Sequence, residues 1–209
     1  MSLPEGVSYR DIGGERRLVT RGEPAYGEPT SGGWRAWDTA RSKLGAMLDR
    51  GMDVGLPAGG TVLYLGAAAG TTVSHVADVA GATYAVEFAP RPMRELLDVA
   101  GSRERLFPLL KDAREPETYA HVVESGVDLI VQDVATRGQA EVALANRRFL
   151  ANDGRLALAI KARSEDVTAP PEAVFESAVS TLREGYAIRE RERLDPDHEA
   201  HLAVVAEPA

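Results

Sequence analysis

Five residues that can do chemistry each follow an apolar run, at the positions Gly66, Glu87, Asp112, Asp133 and Lys161. The intervals between them are 21, 25, 21 and 28 residues, each about the length of one strand and one helix. In open α/β sheets, ligands bind outside the carboxyl ends of the strands. We therefore predict that these residues, although far apart in sequence, meet in one crevice.

The residue types in this crevice favour an adenosyl cofactor. The turn Gly66–Gly70 consists of small residues that let a ligand approach the backbone, and Glu87 can accept hydrogen bonds from both hydroxyls of a ribose. Asp112 can accept one from an adenine amino group. A dinucleotide would need further glycines for its pyrophosphate, where this turn has alanines. Three carboxylates suit a sulfonium cation better than phosphates, so S-adenosylmethionine fits better than NAD.

Alternating strand and helix patterns predict the fold that positions these residues. From residue 60 onward, apolar runs such as Thr61–Leu65 and Val127–Val131 alternate with helical spacing, as in Gln139–Leu150 and Val174–Glu184. This alternation indicates the α/β class, with a doubly wound and mainly parallel sheet. Residues 1–56 are rich in Gly, Pro and charge, so we predict a small β-rich N-terminal module that ends in a helix over Thr39–Met52, and a second domain over residues 57–209.

Composition limits the remaining possibilities. The 209 residues carry a net charge of −8 and no cysteine, which excludes disulfides, thiolate metal sites and a cysteine nucleophile, and no metal site is predicted. No apolar run approaches the ~18 residues of a membrane span, and the first residues do not look like a signal peptide, so we expect a cytoplasmic protein without membrane contacts. Only three of 24 basic residues are lysines. A high-salt cytoplasm or GC-rich codon usage would each explain the acidity and the preference for arginine.

Several sequence blocks, in order, resemble the fibrillarin family of methyltransferases. The first is Leu63–Val76, which is similar to the family's cofactor motif. The others are Arg41-Ser42-Lys43-Leu44, Tyr84–Arg91, Lys111-Asp112-Ala113-Arg114, Gln132-Asp133-Val134-Ala135 and Ala159–Ser164. The Gly/Arg-rich tail of eukaryotic members is missing, so the chain is similar to the shorter archaeal form. The resemblance implies a Rossmann-like methyltransferase fold that uses S-adenosyl-L-methionine.

The resemblance also implies the cofactor contacts. Beside the glycine turn, they fall on strand ends and on the start of a helix. They are Gly66, Ala67, Gly70, Thr71, Thr72, Glu87, Phe88, Asp112, Ala113, Asp133, Val134, Ala135, Thr136 and Gln139. Thr71 and Thr72 have a second interpretation that needs no ligand, as caps of the helix that follows.

The family's catalytic set falls on Lys43, Asp133, Lys161 and His201, with His198 as an alternative to His201. Methyl transfer to a ribose 2′-hydroxyl needs in-line placement and removal of the hydroxyl proton. A lysine with a lowered pKa can act as the base, which an arginine cannot do. We assign this role to Lys161, oriented by Asp133, while Lys43 and His201 lower its pKa or stabilise the developing oxyanion.

The resemblance implies an RNA 2′-O-methyltransferase that modifies rRNA and tRNA at positions chosen by a C/D box guide RNA. It implies two protein partners, a Nop-domain scaffold protein and a kink-turn-binding protein of ribosomal type. Partners that carry the RNA would explain how an acidic chain works on a polyanion. Two alternatives remain open: a nucleotide-dependent oxidoreductase, and a non-catalytic scaffold subunit that keeps the fold.

Overall fold

The computed structural model describes residues 3–209. Its first part is a four-stranded antiparallel sheet formed by β1 (Val7–Ile12), β2 (Glu15–Arg21), β3 (Thr30–Ser31) and β4 (Trp34–Ala36), in the order β1-β2-β4-β3. The β-rich character predicted for the N-terminal segment is therefore present. The boundary at residues 56 and 57 stays a prediction, since one apolar cluster contains both Leu18 of this sheet and Val62 of the next.

The predicted helix over Thr39–Met52 is shorter and broken. Thr39–Arg41 forms a single 3₁₀ turn, and the α-helix α1 spans Lys43–Asp49. The break lies at Ser42, which has an extended backbone and caps α1 by accepting the Gly45 N–H at its Oγ, 3.0 Å away. A strand-like residue cannot continue a helix, so the apolar spacing misled the prediction at this point. The cap places Lys43 at the first position of α1.

A seven-stranded sheet forms the centre of the molecule. Its strands are β5 (Thr61–Leu65), β6 (Ala82–Glu87), β7 (Leu106–Leu110), β8 (Val127–Gln132), β9 (Leu150–Lys161), β10 (Tyr186–Arg193) and β11 (His201–Pro208). The order is β10-β11-β9-β8-β5-β6-β7, with parallel pairing from β9 to β7 and antiparallel pairing of β11 with both neighbours. The mainly parallel sheet predicted from the alternating pattern is confirmed.

Helices cover both faces of this sheet. They are α2 (Thr71–Val79), α3 (Pro90–Ala100), α4 (Gln139–Asn146), α5 (Ala162–Glu165) and α6 (Pro171–Leu182). Successive residues of β5 alternate between two apolar clusters, with Val62 and Tyr64 in one and Leu63 and Leu65 in the other. Such alternation is typical of a strand buried on both sides, as a doubly wound fold requires. Within residues 3–209, no helix combines the length and apolarity needed to cross a membrane.

The ends of two helices differ from the predicted ones. The helix predicted to reach Leu150 ends at Asn146, where a 3₁₀ turn over Arg147–Phe149 leads directly into β9. The helix predicted to start at Val174 begins at Pro171, because a proline at the first helical position loses no hydrogen bond there. Both errors lie at helix ends, where apolar spacing carries little information.

A buried polar network attaches the N-terminal sheet to α2. Arg35 is fully buried, and its guanidinium contacts Asp78 Oδ2 at 2.7 Å and Ser74 Oγ at 3.0 Å. Arg103 Nε donates to the other Asp78 oxygen at 3.3 Å. The neighbouring His75 is also buried and stacks on Trp37 with ring centroids 4.7 Å apart. These contacts fix the segment that leads to Lys43 against the domain that carries the crevice.

Candidate active site

Most of the strand-end residues predicted to meet surround one cavity, but Lys161 is not among the residues that line it. Four of the five, Gly66, Glu87, Asp112 and Asp133, line a cavity of about 290 Å³. It lies at the carboxyl ends of β5 to β8. The sheet extends from β5 through β6 and β7 on one side and through β8 and β9 on the other, and ligands bind at such a point in open α/β sheets. The remaining lining residues are Ala68, Val86, Phe88, Lys111, Ala113, Arg114, Val134, Ala135, Thr136 and Val142.

The glycine that follows β5 is required by its surroundings. Gly66 has a φ of +83°, and a Cβ built there would lie 2.5 Å from the main-chain oxygen of Asp133. Any side chain would therefore displace the loop after β8. The close approach of these two loops brings Asp133 to the floor of the cavity.

The second glycine of the turn, Gly70, is the N-cap of α2 and makes no side-chain cap. Its φ of +98° is a left-handed conformation that favours glycine. The interpretation of Thr71 and Thr72 as caps is therefore wrong, since α2 begins at Thr71 itself. Thr72 Oγ1 instead lies 3.1 Å from Ser42 Oγ, and this hydrogen bond between the two hydroxyls connects α2 to the residue before Lys43.

Glu87 forms a cradle whose geometry fits a ribose. It is buried, and its Oε2 accepts the Ala68 N–H at 2.9 Å while its Oε1 accepts the Ala89 N–H at 2.7 Å. Each carboxylate oxygen has a second lone pair, and both oxygens belong to a residue of the cavity wall. The carboxylate is thus held rigidly and keeps two acceptor sites for a pair of vicinal hydroxyls. The residues present therefore fit an adenosyl ligand.

The wall beside Glu87 offers an apolar surface next to a charged one. Phe88 is 69% exposed although it lines the cavity, so it is available for an adenine to stack on. Asp112 is tied to Arg114, whose Nε lies 3.0 Å from both carboxylate oxygens. This ion pair holds the pKa of Asp112 below its ordinary value. The carboxylate therefore stays ionised as a hydrogen-bond acceptor.

Two charged residues of the wall, Lys111 and Arg114, have no assigned role in the sequence-based prediction. Both lie beside Asp112 in the block Lys111-Asp112-Ala113-Arg114 and are exposed at the cavity. The signal available for them was their position directly at a strand end, which is the same signal that identified Asp112. Their positive charges offset the acidic wall on this side of the cavity.

Some of the residues predicted to contact a cofactor are absent from the cavity lining in the described chain. They are Ala67, Gly70, Thr71, Thr72 and Gln139. Gln139 is fully buried, and its side-chain amide is hydrogen-bonded to the main chain of Lys161. Its amide is therefore used within the protein, and the structure does not place it against the cavity.

The four residues of the predicted catalytic set come from different elements and lie near one another, since Lys43, Asp133 and Lys161 all affect the pKa of His201. Lys43 Nζ lies 2.9 Å from Asp133 Oδ2, with both side chains about three-quarters buried. Lys161 ends β9 and is paired directly across the sheet with His201 of β11. The expectation that Asp133 orients Lys161 is not what the structure shows, because the carboxylate forms its ion pair with Lys43. The cause is the cap at Ser42, which aims α1 at the end of β8.

His201 is held in one tautomer. Its Nδ1 lies 2.7 Å from the carbonyl oxygen of Glu199, which can only accept, so Nδ1 carries the hydrogen. Nε2 is therefore an acceptor, and it is buried without a hydrogen-bond partner within residues 3–209. The alternative residue, His198, uses its Nε2 to donate to the Thr39 carbonyl oxygen at 2.9 Å. His198 is half-buried, whereas the unpaired nitrogen of His201 is buried, and Lys43, Asp133 and Lys161 all affect the pKa of His201.

The surroundings of His201 keep it neutral. Burial is the main cause that lowers its pKa below the ordinary 6.5, and the positive charges of Lys43 and Lys161 lower it further. The hydrogen bond to Glu199 and the charge of Asp133 act in the opposite direction. A neutral imidazole with an unpaired nitrogen can accept a proton from a hydroxyl that enters the site.

Comparisons with known proteins identify the family of this chain. The Fibrillarin family model matches residues 6–209. A protein of Halorubrum lacusprofundi named fibrillarin-like rRNA/tRNA 2′-O-methyltransferase is 70% identical over 99% of this chain and 98% of its own. A protein of the same name from Halobacterium salinarum is 71% identical over the full length of both chains.

Two solved structures are similar over nearly their whole length. Aeropyrum pernix fibrillarin in complex with natively bound S-adenosyl-L-methionine is 40% identical, with a TM-score of 0.87 over 99% of this chain and 96% of that chain. The fibrillarin of a fibrillarin/Nop5p complex is 38% identical, with a TM-score of 0.91 over the full length of both chains. The order of the strands, the cavity at their carboxyl ends and these similarities lead to one conclusion: the chain belongs to the fibrillarin family.

Proposed function

We propose that this protein transfers a methyl group from S-adenosyl-L-methionine to the ribose 2′-hydroxyl of rRNA and tRNA, at positions selected by a C/D box guide RNA. The observation that supports this most directly is the position of Asp133. Asp133 lines the cavity that fits an adenosyl group. Its carboxylate also pairs with Lys43, which lies near Lys161 and His201. A cofactor site and a proton-accepting cluster thus share one residue.

Different residues of the cavity would bind different parts of the cofactor. Glu87 would accept the ribose hydroxyls, Phe88 would stack on the adenine, and Asp112 would accept from its amino group. The oxidoreductase alternative is disfavoured by the same geometry, because the Ala68 N–H in the glycine turn already donates to Glu87 at 2.9 Å and is not free for a pyrophosphate.

The cluster at Asp133 would perform the proton transfer. When bound, S-adenosylmethionine supplies a methyl carbon activated by a sulfonium, and that carbon–sulfur bond breaks as the carbon–oxygen bond forms. In this proposal His201 Nε2, and not Lys161 as expected from the sequence, accepts the proton of the attacking 2′-hydroxyl, since it is an unprotonated ring nitrogen without a partner among residues 3–209. Lys161 donates to the same oxygen and stabilises the negative charge that develops there. The ion pair with Asp133 fixes Lys43 and keeps its charge close to His201.

Selection of the target would rest with partners. With a net charge of −8, the chain has little attraction of its own for a polyanion. A guide RNA would choose the nucleotide by base pairing, a kink-turn-binding protein of ribosomal type would bind the guide, and a Nop-domain scaffold protein would dock this chain onto it. The relative in a complex with Nop5p supports such a scaffold.

The test is a binding titration followed by a reconstituted transfer assay. We expect the purified chain to bind S-adenosylmethionine but not NAD, measured by isothermal titration calorimetry. We expect methyl transfer from radiolabelled S-adenosylmethionine to one ribose of a target RNA only when guide RNA and both partner proteins are present. Failure to bind S-adenosylmethionine would contradict the proposal. Site-specific methylation of free RNA by the chain alone would contradict guidance, and binding without transfer by the complete particle would favour a scaffold.

A further inference from the structure

Lys161 of β9 extends past the end of β8, the neighbouring strand that would otherwise pair with its main chain. In the pairing of β8 with β9, the last pair is Gln132 with Leu158, so the ladder on that side ends three residues before Lys161. On the other side, Lys161 still pairs with His201 of β11. The main chain of Lys161 therefore has a free edge at the point where its side chain must be aimed.

The side-chain amide of Gln139 occupies this edge. Gln139 Oε1 accepts the Lys161 N–H at 2.8 Å, and Gln139 Nε2 donates to the Lys161 carbonyl oxygen at 3.1 Å. A primary amide has one acceptor and one donor side, as a peptide group has, so it replaces the missing residue of β8. Since Gln139 is fully buried, both bonds are shielded from water.

Gln139 is itself fixed from two directions. Glu165 of α5, four residues after Lys161, accepts the N–H groups of Gly138 and Gln139 at 2.8 and 2.6 Å. Gln132 at the end of β8 donates to the Gln139 carbonyl oxygen at 2.7 Å. The chain thus forms a closed loop of contacts from Lys161 through α5 to the start of α4 and back to Lys161.

We propose that Gln139 is a positioning residue for methyl transfer, which sets the direction of the Lys161 side chain by holding its main chain, and that Glu165 holds Gln139 in place. This inference rests on the proposed function. Gln139 does not line the cavity, so we expect its effect on methyl transfer to pass through the main chain of Lys161, to which both of its side-chain hydrogen bonds go. Displacing a reacting group by about 1 Å costs on the order of 100-fold in rate, so a small shift of Lys161 is enough to matter.

The first test replaces the amide by a group of similar length that forms no hydrogen bond. We expect Gln139→Met to lower kcat for guided methyl transfer by about 100-fold, with the Kd for S-adenosylmethionine unchanged. The matched control is Tyr186→Phe, which removes another buried hydrogen bond to α4, from the Tyr186 hydroxyl to the Ala143 carbonyl oxygen at 3.1 Å. We expect the control to leave kcat unchanged. An unchanged kcat in Gln139→Met would overturn the proposal, and a weaker affinity for S-adenosylmethionine would make Gln139 a cofactor contact instead.

The second test uses pH. A protonated carboxyl can accept from Lys161 N–H and donate to its carbonyl oxygen as the amide does, whereas an ionised one cannot donate. We expect Gln139→Glu to approach the wild-type rate at acidic pH and to lose activity relative to wild type as the pH rises. A rate ratio that does not change with pH would contradict a role through these two bonds.

The third test needs no activity. Amide hydrogen exchange, followed by mass spectrometry on peptides covering residues 157–163, should become faster in Gln139→Met, while the exchange of β5 stays the same. If the wild-type particle transfers no methyl group, the proposed function fails, and this exchange result still decides whether Gln139 holds Lys161. Unchanged exchange at Lys161 would overturn the inference.

Discussion

Lys43 Nζ donates a hydrogen bond to Asp133 Oδ2 at 2.9 Å, across 90 residues of sequence. The contact joins the first residue of α1 to the residue that follows β8. Lys161, in contrast, has no carboxylate within 4 Å among residues 3–209. Lys43 is therefore held in an ion pair, whereas Lys161 has no carboxylate partner in the described part of the chain. We expect Lys161 to contact the substrate and Lys43 to act through its charge.

Replacing Lys161 should affect chemistry and leave cofactor binding intact. We expect Lys161→Ala to reduce kcat by at least about 100-fold, because the ammonium that stabilises the developing charge is lost. The Kd for S-adenosylmethionine should stay the same, since Lys161 is not part of the cavity wall. Single-turnover transfer in the reconstituted particle and calorimetry of the free chain measure the two quantities. Asp133→Asn is the comparison that should change both, because Asp133 lines the cavity; full activity of Lys161→Ala would remove that residue from the mechanism.

The rate of transfer should fall on acidification because of His201. Burial and two nearby lysines lower its pKa below 6.5, so the imidazole is neutral at pH 7 and becomes protonated only when the pH drops below that lowered value. Protonation fills the Nε2 lone pair, and kcat is then lost. In His201→Gln, kcat should be low at every pH and this acidic limb should be missing. A limb that persists in the variant would assign the proton acceptor to another group.

The same shift predicts the direction of the change in stability. Because the folded pKa of His201 is the lower one, the unfolded chain binds a proton first as the pH falls below 6.5. The contribution of His201 to the free energy of unfolding is therefore greatest above pH 6.5, and the protein becomes less stable as the pH falls below that value. Urea unfolding at each pH separates this loss from the loss of catalysis, since the rate is measured only where the protein remains folded.

The strand-end residues could be predicted from sequence because their signal is local. An apolar run reports where a strand ends, and the carboxyl ends of parallel strands share one edge, so Glu87, Asp112 and Asp133 followed from spacing alone. The partner of Asp133 could not be predicted in this way. It depends on where α1 begins, and that is set by Ser42, whose Oγ also accepts the Trp37 indole N–H at 2.8 Å.

The position of Gln139 shows the same limit. Its residue type and its place at the start of a helix are compatible with a cofactor contact. Its observed hydrogen bonds to the main chain of Lys161 depend on how far β9 extends past β8, which is a property of the pairing between two strands rather than of either one. The tautomer of His201 depends in the same way on the loop before β11, whose Glu199 carbonyl oxygen faces Nδ1.

Glu87→Gln should weaken cofactor binding. Both oxygens of Glu87 accept main-chain N–H groups, and a glutamine can offer only one acceptor, so its NH₂ would face the N–H of Ala68 or Ala89. Leaving a buried donor unpaired and losing one ribose contact should raise the Kd for S-adenosylmethionine at least about tenfold. Calorimetric titration measures this, with the exposed Glu117→Gln as a control that should bind like wild type. An unchanged Kd in Glu87→Gln would show that the cradle does not hold the ribose.

Asp78→Asn should destabilise the fold through the buried network that attaches the N-terminal sheet. Asp78 is the shared partner of Arg35 and Arg103, and the side chain of Arg35 is fully buried. Without the carboxylate, two buried guanidinium groups lose their common counter-charge, which costs about 3–5 kcal/mol in comparable cases. Arg191→Gln breaks the exposed pair with Glu176 and should cost less than about 1 kcal/mol. Urea unfolding followed by circular dichroism compares the two variants; an equally small loss in both would show that Asp78 does not carry the attachment of the sheet to α2.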